Sequence, residues 1–316
     1  MKGALLALLA SLGLATASAE PVADPVWTPV QLPHSAQRDV HSKHTGKDYR
    51  IFISEPRHEP PPGGYPVLYV LDGNALFPGL ASQALALGDR PDPELRDSVL
   101  VVGIGYPGDA LYDFKARAED YTPKAEDRKR LPGREPPPSG GADEFLAFIE
   151  HELKPMIANR YPVDAKRQTL FGHSYGGLFT LYTLFTQPQA FQGYVAASPS
   201  IWWYKGYMER ALAAFEQQFG KRPFDARLLV TAGGAEQPGP DASMDDPRQR
   251  HMAERRMVGN AQDLVDRLQQ LSSQGLHSEF QLFPGANHGT NAAHSSVVAL
   301  ALAATVGRSV SPNRDD

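Results

Sequence analysis

Apolar and polar residues alternate in two different ways along this chain, and each way predicts a kind of element. Alternation on both sides of residues 45–47 predicts an antiparallel hairpin, with strands at 38–42 and 49–54. Continuous apolar runs at 67–71 and 99–104 predict strands that are buried on both faces. The chain is therefore predicted to begin with a hairpin and to continue with strands of a parallel sheet.

Farther along, strand and helix patterns take turns. One helix is predicted directly after residue 174, because apolar residues recur there at helical spacing. The same spacing predicts helices at residues 143–158, 207–219, 257–271 and 292–306. Short apolar runs predict strands at residues 168–171, 194–197, 227–232 and 278–283. This alternation predicts an α/β fold with a mostly parallel sheet, an antiparallel N-terminal hairpin and helices on both faces.

The first 19 residues have the pattern of a secretory signal. Lys2 supplies a positive charge, residues 4–15 are apolar, and residues 17–19 have the small side chains of a cleavage site. Removal of residues 1–19 would leave residues 20–316, a length that α/β proteins often fold as one domain. We therefore expect a single-domain periplasmic protein that does not insert into a membrane after processing.

Composition narrows the classes of partner and chemistry. The formal charge is −5 and no long basic run is present, so nucleic acid is not an expected partner. The chain contains no cysteine, which excludes disulfides, thiolate metal sites and a cysteine nucleophile. A small molecule is the expected ligand, and the oligomeric state is left open.

A G-x-S-x-G motif lies where a predicted strand turns into a predicted helix. Gly172 and Gly176 flank Ser174, and small residues at these positions let strand and helix pack closely around a strained serine. The pentapeptide alone also fits a glycine-rich turn with a solvated serine. Because the strand precedes it and the helix follows it, we interpret Ser174 as a candidate nucleophile in an elbow.

A histidine and a carboxylate follow the elbow in a suitable order. Glu236 lies after the strand at 227–232, and His288 lies in a glycine-rich turn after the last strand. Serine, acid and histidine in this chain order are typical of α/β hydrolases. Three further carboxylates in the same loop are alternatives to Glu236, namely Asp241, Asp245 and Asp246.

These residues predict acyl transfer to water without a metal or other cofactor. His288 would accept the proton of Ser174 as the hydroxyl attacks an ester carbonyl, and the carboxylate would stabilise the imidazolium. The backbone N–H of Tyr175 and one from the turn at residues 73–74 would hold the oxyanion. Two segments without a regular pattern, 107–141 and 237–256, are predicted to be loop insertions near this site.

Five segments give the chain a resemblance to the esterase D-like branch of the α/β hydrolases. They are residues 67–74 (VLYVLDGN), 117–123 (RAEDYTP), 172–177 (GHSYGG), 198–203 (SPSIWW) and 284–289 (PGANHG). The resemblance runs over almost the whole mature chain, and the SPSIWW segment together with the signal is most similar to the periplasmic siderophore esterases. It implies that Asn74 and Tyr175 form the oxyanion hole. It leaves open a Ser/His dyad without Glu236, since some members of that group work in this way.

The resemblance implies hydrolysis of the trilactone of a catecholate siderophore, free or as its ferric complex. Since a ferric tris-catecholate is a polyanion, a cationic rim would attract it. The candidate cations are Arg117, Arg128, Lys129, Arg130 and Arg134. Trp202 and Trp203 would offer flat faces to the catechol rings. The alternative for the basic cluster at 128–134 is an ordinary solvated turn, and the alternative for the two tryptophans is core packing.

Other functions stay open on the sequence. A secreted feruloyl, carbohydrate or general carboxylesterase would use the same fold with a different pocket. A hydrolase of S-formylglutathione is disfavoured because that substrate is cytosolic and this chain carries an export signal. From another class, a non-catalytic periplasmic ligand-binding protein on a hydrolase fold would have no need for both Ser174 and His288.

Overall fold

In the computed structural model of the protein, the structure is described for residues 27–89, 99–125, 138–204, 206–218 and 225–308. Residues 27–31 lie outside helices and strands. The described residues from Leu32 onward form one compact unit. None of the described helices combines the length and the hydrophobicity that a membrane span requires.

The described part of the chain forms one mixed sheet. Its strands are β1 (Ser35–His41), β2 (Asp48–Ser54), β3 (Tyr65–Leu71), β4 (Leu100–Gly105), β5 (Val163–His173), β6 (Gly193–Ala197), β7 (Ala226–Gly233) and β8 (Leu276–Phe283). Their order in the sheet is β1-β2-β4-β3-β5-β6-β7-β8. The pairs β1–β2 and β2–β4 are antiparallel and the remaining pairs are parallel. The predicted hairpin and mostly parallel sheet are confirmed.

Helices follow most of the strands. They are α1 (Gly73–Gly88), α2 (Phe114–Asp120), α3 (Ala142–Phe148), α4 (Lys154–Ala158), α5 (Tyr175–Thr186), α6 (Tyr207–Gln218), α7 (Pro247–Arg255), α8 (Met257–Leu268) and α9 (His288–Thr305). A π-helical turn, Ile149–Leu153, joins α3 to α4, so the single helix predicted at 143–158 is continuous but locally widened.

Side chains of the central strands point alternately to two hydrophobic clusters, one on each side of the sheet. In β3, Leu68 and Val70 join the cluster that includes residues of α1 and α9. Val67, Tyr69 and Leu71 join the other cluster, which includes residues of α3, α5, α6 and α8. All five side chains have no exposed surface, and burial of each of the four aliphatic ones contributes about 1.5–3 kcal/mol. Coverage of both faces explains why β3 is a continuous apolar run.

Three helices were not predicted from the pattern. No element was predicted at the position of α1, which contains Pro78 although its buried residues Phe77, Leu80 and Ala81 have helical spacing. The seven residues of α2 are too few to show a helical period, although the Asp113 carboxylate caps its first turn. The nine-residue α7 buries none of its residues, so it has no apolar stripe. The two segments predicted as loops therefore contain α2 and α7, and residues 126–137 of the first lie outside the described residues.

Candidate active site

The turn between β5 and α5 places Ser174 in a strained conformation. Its φ and ψ are 60° and −113°, and its amide donates to the Ala197 carbonyl at 2.9 Å. A Cβ on Gly172 would lie 2.3 Å from the Gly176 carbonyl oxygen, so only glycine fits before the serine. This is the geometry of a nucleophile elbow, in which the hydroxyl is presented at the carboxyl end of the strand.

Strain of this kind recurs at the same edge of the sheet. Asp72 follows β3 with a φ of 53°, and Ser198 follows β6 with a φ of 41°. Non-glycine residues rarely adopt a positive φ, and such strain clusters at functional sites. Ser174, Asp72 and Ser198 directly follow three neighbouring strands. Strained residues are therefore gathered at the carboxyl edge of β3, β5 and β6.

His288 contacts Ser174 from the first turn of α9. Its Nε2 lies 3.0 Å from the Ser174 Oγ, and about half of its side chain is exposed. The sequence pattern predicted a helix starting at residue 292, but the Asn287 side chain accepts from the amides of Gly289 and Thr290 and starts α9 at His288. His288 is thus the first residue of a capped helix and does not lie on a free turn.

Glu236 contacts the other side of the His288 ring. Its Oε2 lies 2.6 Å from His288 Nδ1, while its Oε1 accepts from the Ser198 hydroxyl at 2.6 Å and the Gly233 amide at 2.7 Å. Burial alone would raise the pKa of this carboxyl, but the hydrogen bonds from His288, Ser198 and Gly233 hold the pKa below its ordinary value. Glu236 is therefore a carboxylate at neutral pH.

The three alternative carboxylates have other surroundings. Asp241, Asp245 and Asp246 are exposed, and the Asp246 carboxylate accepts from the Arg248 amide at the start of α7. The structure therefore brings Ser174, His288 and Glu236 together and leaves the other three candidates in solvent.

A buried polar cluster behind Glu236 escaped the sequence reasoning. Asn291 Nδ2 donates to the Ser198 hydroxyl at 2.7 Å and to Thr231 Oγ1 at 3.2 Å, and Thr231 Oγ1 lies 2.7 Å from the Ser295 hydroxyl. None of these four side chains is exposed. Asn291 and Ser295 lie one and two turns after the start of α9, so the cluster fastens the helix that carries His288 to β6 and β7. The helical spacing of 288, 291 and 295 was the available signal.

The contacts determine where the protons lie on two histidines. A carboxylate only accepts, so His288 Nδ1 carries hydrogen and its Nε2 is free to accept from the Ser174 hydroxyl. His173 Nε2 lies 2.7 Å from the His288 carbonyl oxygen and must likewise be a donor. Burial, together with the neighbouring His288, lowers the pKa of His173 to about 3. A neutral ring therefore lies tilted against the His288 ring, with the two centroids 4.6 Å apart, and does not oppose a positive charge on His288.

The two predicted oxyanion residues lie in the first turns of helices. Tyr175 is the first residue of α5 and Asn74 is the second residue of α1. Amides at these positions have no acceptor within their own helix. The Asn74 side chain is bound to the backbone of Tyr106 through two hydrogen bonds of 2.8 and 2.9 Å, which hold the start of α1 against the end of β4.

Arg117 differs from the free cation that was expected. Only 6 % of it is exposed, and its Nε and Nη2 donate to the two carboxylate oxygens of Asp72 at 2.8 and 2.9 Å. Burial alone would lower the pKa of Arg117, but the Asp72 carboxylate raises it above the ordinary value. Arg117 also donates to the His173 carbonyl at 3.3 Å and lies 5.7 Å from the centroid of the Tyr175 ring. Its charge is thus already neutralised within the protein.

The other predicted substrate contacts are divided between core, cavity and undescribed segments. Trp203 is only 5 % exposed and packs in the core against Tyr204 and Tyr207, which corrects the expectation that its face is offered to substrate. Trp202 does line the cavity beside Ser174. The remaining predicted cations lie outside the described residues, namely Arg128, Lys129, Arg130 and Arg134.

A cavity of about 580 Å³ opens beside the candidate nucleophile. Its wall includes Ser174, Glu236 and His288, and it also includes residues of α7. A larger hollow of about 750 Å³ between β7, β8 and α9 contains none of these three side chains, so we assign the chemistry to the smaller cavity. Within the described ranges, no group of three histidine or carboxylate side chains is arranged to hold a metal ion.

The sheet order, the elbow after β5, a carboxylate after β7 and a histidine after β8 define an α/β hydrolase. Residues 42–295 match the family described as "Putative esterase", and the chain belongs to this family. It is accordingly a carboxylic ester hydrolase, and the predicted fold and enzyme class are confirmed.

Individual relatives make the likeness specific. The ferri-bacillibactin esterase BesA of Bacillus subtilis is 40% identical over 260 residues, which cover 81% of this chain and 85% of the relative. The siderophore triacetylfusarinine C esterase of Aspergillus fumigatus is 38% identical over 249 residues, covering 75% and 82%. A crystal structure of the BES protein from Bacillus cereus, 32% identical, has a TM-score of 0.77 and covers 90% of this chain and 100% of that one.

Proposed function

We propose that the protein is a serine esterase that hydrolyses ester bonds in the backbone of a siderophore. One observation carries the proposal. The contact chain from Ser174 through His288 to Glu236 opens into a cavity, in a chain that is 40% identical to a relative named for ferri-bacillibactin. We propose Ser174 as nucleophile, His288 as general base and Glu236 as the acid that orients it.

The proposed reaction proceeds through an acyl-enzyme. Ser174 Oγ attacks the ester carbonyl while His288 Nε2 takes its proton, and the same proton passes to the departing alkoxide as the ester bond breaks. Water then gives a proton to His288 and attacks the acyl group, and the proton returns to Ser174. Glu236 stabilises the imidazolium in both halves, since its pKa keeps it charged.

Backbone amides are proposed to stabilise the tetrahedral intermediates. The amides of Tyr175 and Asn74 belong to the two helix starts beside Ser174, where partial positive charge accumulates. In enzymes of this type the loss of one such donor lowers kcat by roughly 10²- to 10³-fold.

The proposed substrate class is a catecholate trilactone, free or iron-loaded. The name of the Bacillus subtilis relative supports it, and so do two arginines of α7 in the cavity wall, Arg248 and Arg255, because a ferric catecholate is polyanionic. The relative named for triacetylfusarinine C makes other siderophore esters the second candidate.

The test is chromatography of an enterobactin-type trilactone after incubation with the full-length protein, with and without iron. We expect ring opening to linear products, and at least about 10⁴-fold slower opening by Ser174→Ala. Cleavage of p-nitrophenyl acetate without opening of the trilactone would contradict the siderophore assignment and indicate a general or feruloyl-type esterase. Tight binding of the trilactone with no turnover of either ester would instead indicate a binding protein.

We further propose that residues 1–19 are removed on export to the periplasm and that residues 20–316 form one domain. The basic, apolar and small-residue segments of the first 19 residues support this proposal. N-terminal sequencing of the exported protein is expected to begin at Glu20. A sequence that still begins at Met1 or Lys2 would contradict it.

A further inference from the structure

Trp202 and Arg255 form a cation–π pair in the wall of the cavity that holds Ser174. The guanidinium carbon of Arg255 lies 4.4 Å from the centroid of the Trp202 ring, and both side chains line the cavity. Neither the tryptophan nor the arginine is needed for the proton transfers between Ser174 and His288. The pair is therefore available for another task beside the reacting centre.

The guanidinium of Arg255 lacks the partners that a protein cation usually has. Its Nε is shielded from solvent and has no hydrogen-bond partner, and no carboxylate within the described residues forms an ion pair with it. The next residue, Arg256, does have a partner, since its Nη2 lies 3.0 Å from the Asp263 carboxylate. A shielded, unpaired donor next to an open cavity is unfavourable unless a ligand satisfies it.

The rest of the α7 face adds positive charge in the same place. Arg248 lies seven residues before Arg255, two turns along the same helix face, and it also lines the cavity. The carboxylate in the cavity wall, Glu236, is already bonded to His288, Ser198 and Gly233. The α7 side of the cavity therefore carries cations that no carboxylate of the wall neutralises.

We propose that Trp202, Arg255 and Arg248 form a subsite for an anionic aromatic ring. A planar guanidinium can stack on an aromatic face and still donate in its own plane to the oxygens of an anion. The ligand class is a benzoate or catecholate ring, which provides both a π-face and a negative charge. This assignment rests on the proposed function, in which the ring is an aromatic arm of the siderophore ester held while Ser174 attacks the backbone.

The test uses probes that do not depend on the identity of the natural ester. Hydrolysis of p-nitrophenyl acetate by the full-length protein is inhibited with 2,3-dihydroxybenzoate, and separately with its neutral amide, 2,3-dihydroxybenzamide. We expect competitive inhibition by both, with the anion stronger. Arg255→Gln should weaken inhibition by the anion by roughly tenfold and affect the neutral amide little, because only a charge-assisted contact is lost. Trp202→Leu should weaken both.

Two variants complete the design. Arg256→Gln is the matched control, since this neighbouring arginine is exposed and paired with Asp263, and it should leave both inhibition constants unchanged. Arg255→Lys should restore only part of the inhibition, because an ammonium keeps the charge but loses the planar stack. The readout is the ratio of the two inhibition constants, because damage that weakens the binding of both ligands equally leaves this ratio unchanged.

Particular results would overturn the subsite. An anion-to-amide ratio that is the same in wild type and Arg255→Gln would do so, and so would inhibition that is not competitive. These outcomes are distinct from failure of the proposed function. If the trilactone is not opened but the ratio still depends on Arg255, the subsite stands for another aromatic acid ester and the siderophore assignment is wrong.

Discussion

Two arginines line the same cavity from different elements, and the protein treats their charges in opposite ways. Arg117 is almost fully buried and gives two hydrogen bonds to the Asp72 carboxylate. Arg255 lies on α7, a helix without a buried residue, and its charge has a tryptophan face beside it in place of a carboxylate. A fully buried cation without a partner is very costly, whereas a partly buried guanidinium keeps some of its hydration and costs less.

The difference separates charges that hold the fold from charges that are free to bind. Arg117 connects the end of β3 at Asp72, the end of β5 at His173 and the ring of Tyr175, so it fastens the two segments that carry the proposed oxyanion amides. Arg255 forms no ion pair with a described carboxylate, and its guanidinium lies over the Trp202 ring in the cavity wall. The first charge positions backbone, and the second is left for a ligand.

The largest effect is expected at Glu236, the buried carboxylate that contacts His288. Glu236→Gln should lower kcat by roughly 10⁴-fold, because the amide donates to Nδ1 and leaves the wrong nitrogen of His288 protonated. Initial rates with p-nitrophenyl acetate measure it. The exposed Asp245→Asn is the matched control and should change kcat little. Near-normal activity of Glu236→Gln would favour the Ser/His dyad that the sequence left open.

The second effect tests whether a paired arginine and an unpaired one contribute differently to the free energy of unfolding. Arg117→Met should lower the free energy of unfolding by roughly 3–5 kcal/mol, since it leaves the buried Asp72 charge unpaired. Arg248→Met should change it by less than about 0.5 kcal/mol, since this arginine is exposed. Urea unfolding measures both. Adding Asp72→Asn to Arg117→Met should recover part of the loss. Equal losses in the two single variants would refute the distinction between paired and free cations.

The smallest effect concerns the neutral histidine beside His288. Because the pKa of His173 is about 3 in the fold and near 6.5 when unfolded, the unfolded chain gains a proton first as the pH falls. The contribution of the neutral His173 to stability is therefore complete above about pH 6.5 and is lost progressively as the pH falls toward 3. Between pH 7 and pH 5, wild type should lose up to about 2 kcal/mol more than His173→Gln. The free energy of unfolding at both pH values measures this, and identical pH slopes would contradict it.

Much of the architecture was determined by the sequence alone, because its signals are local. The hairpin, the buried strands and the elbow around Ser174 follow from alternation, apolar runs and small residues within a few positions of each other. The positions of Ser174 and His288 relative to the strands were also readable, since each follows a predicted strand, and β5 to β8 keep their chain order in the sheet. α7 has no apolar stripe and gave no local signal, whereas in α1 the helical spacing of Phe77, Leu80 and Ala81 was available around the internal proline.

The tertiary structure decided which side chains meet. Four carboxylates follow the end of β7 within 13 residues, and the packing of α9 against β6 and β7 brings His288 to one of them, Glu236. Trp202 and Trp203 are adjacent in sequence, yet one faces the cavity and the other the core, because a side chain's direction in a turn depends on what packs around it. The partner of Arg117 lies 45 residues away, so its charge could be assigned to the fold rather than to substrate only after β3, β5 and α2 had been brought together.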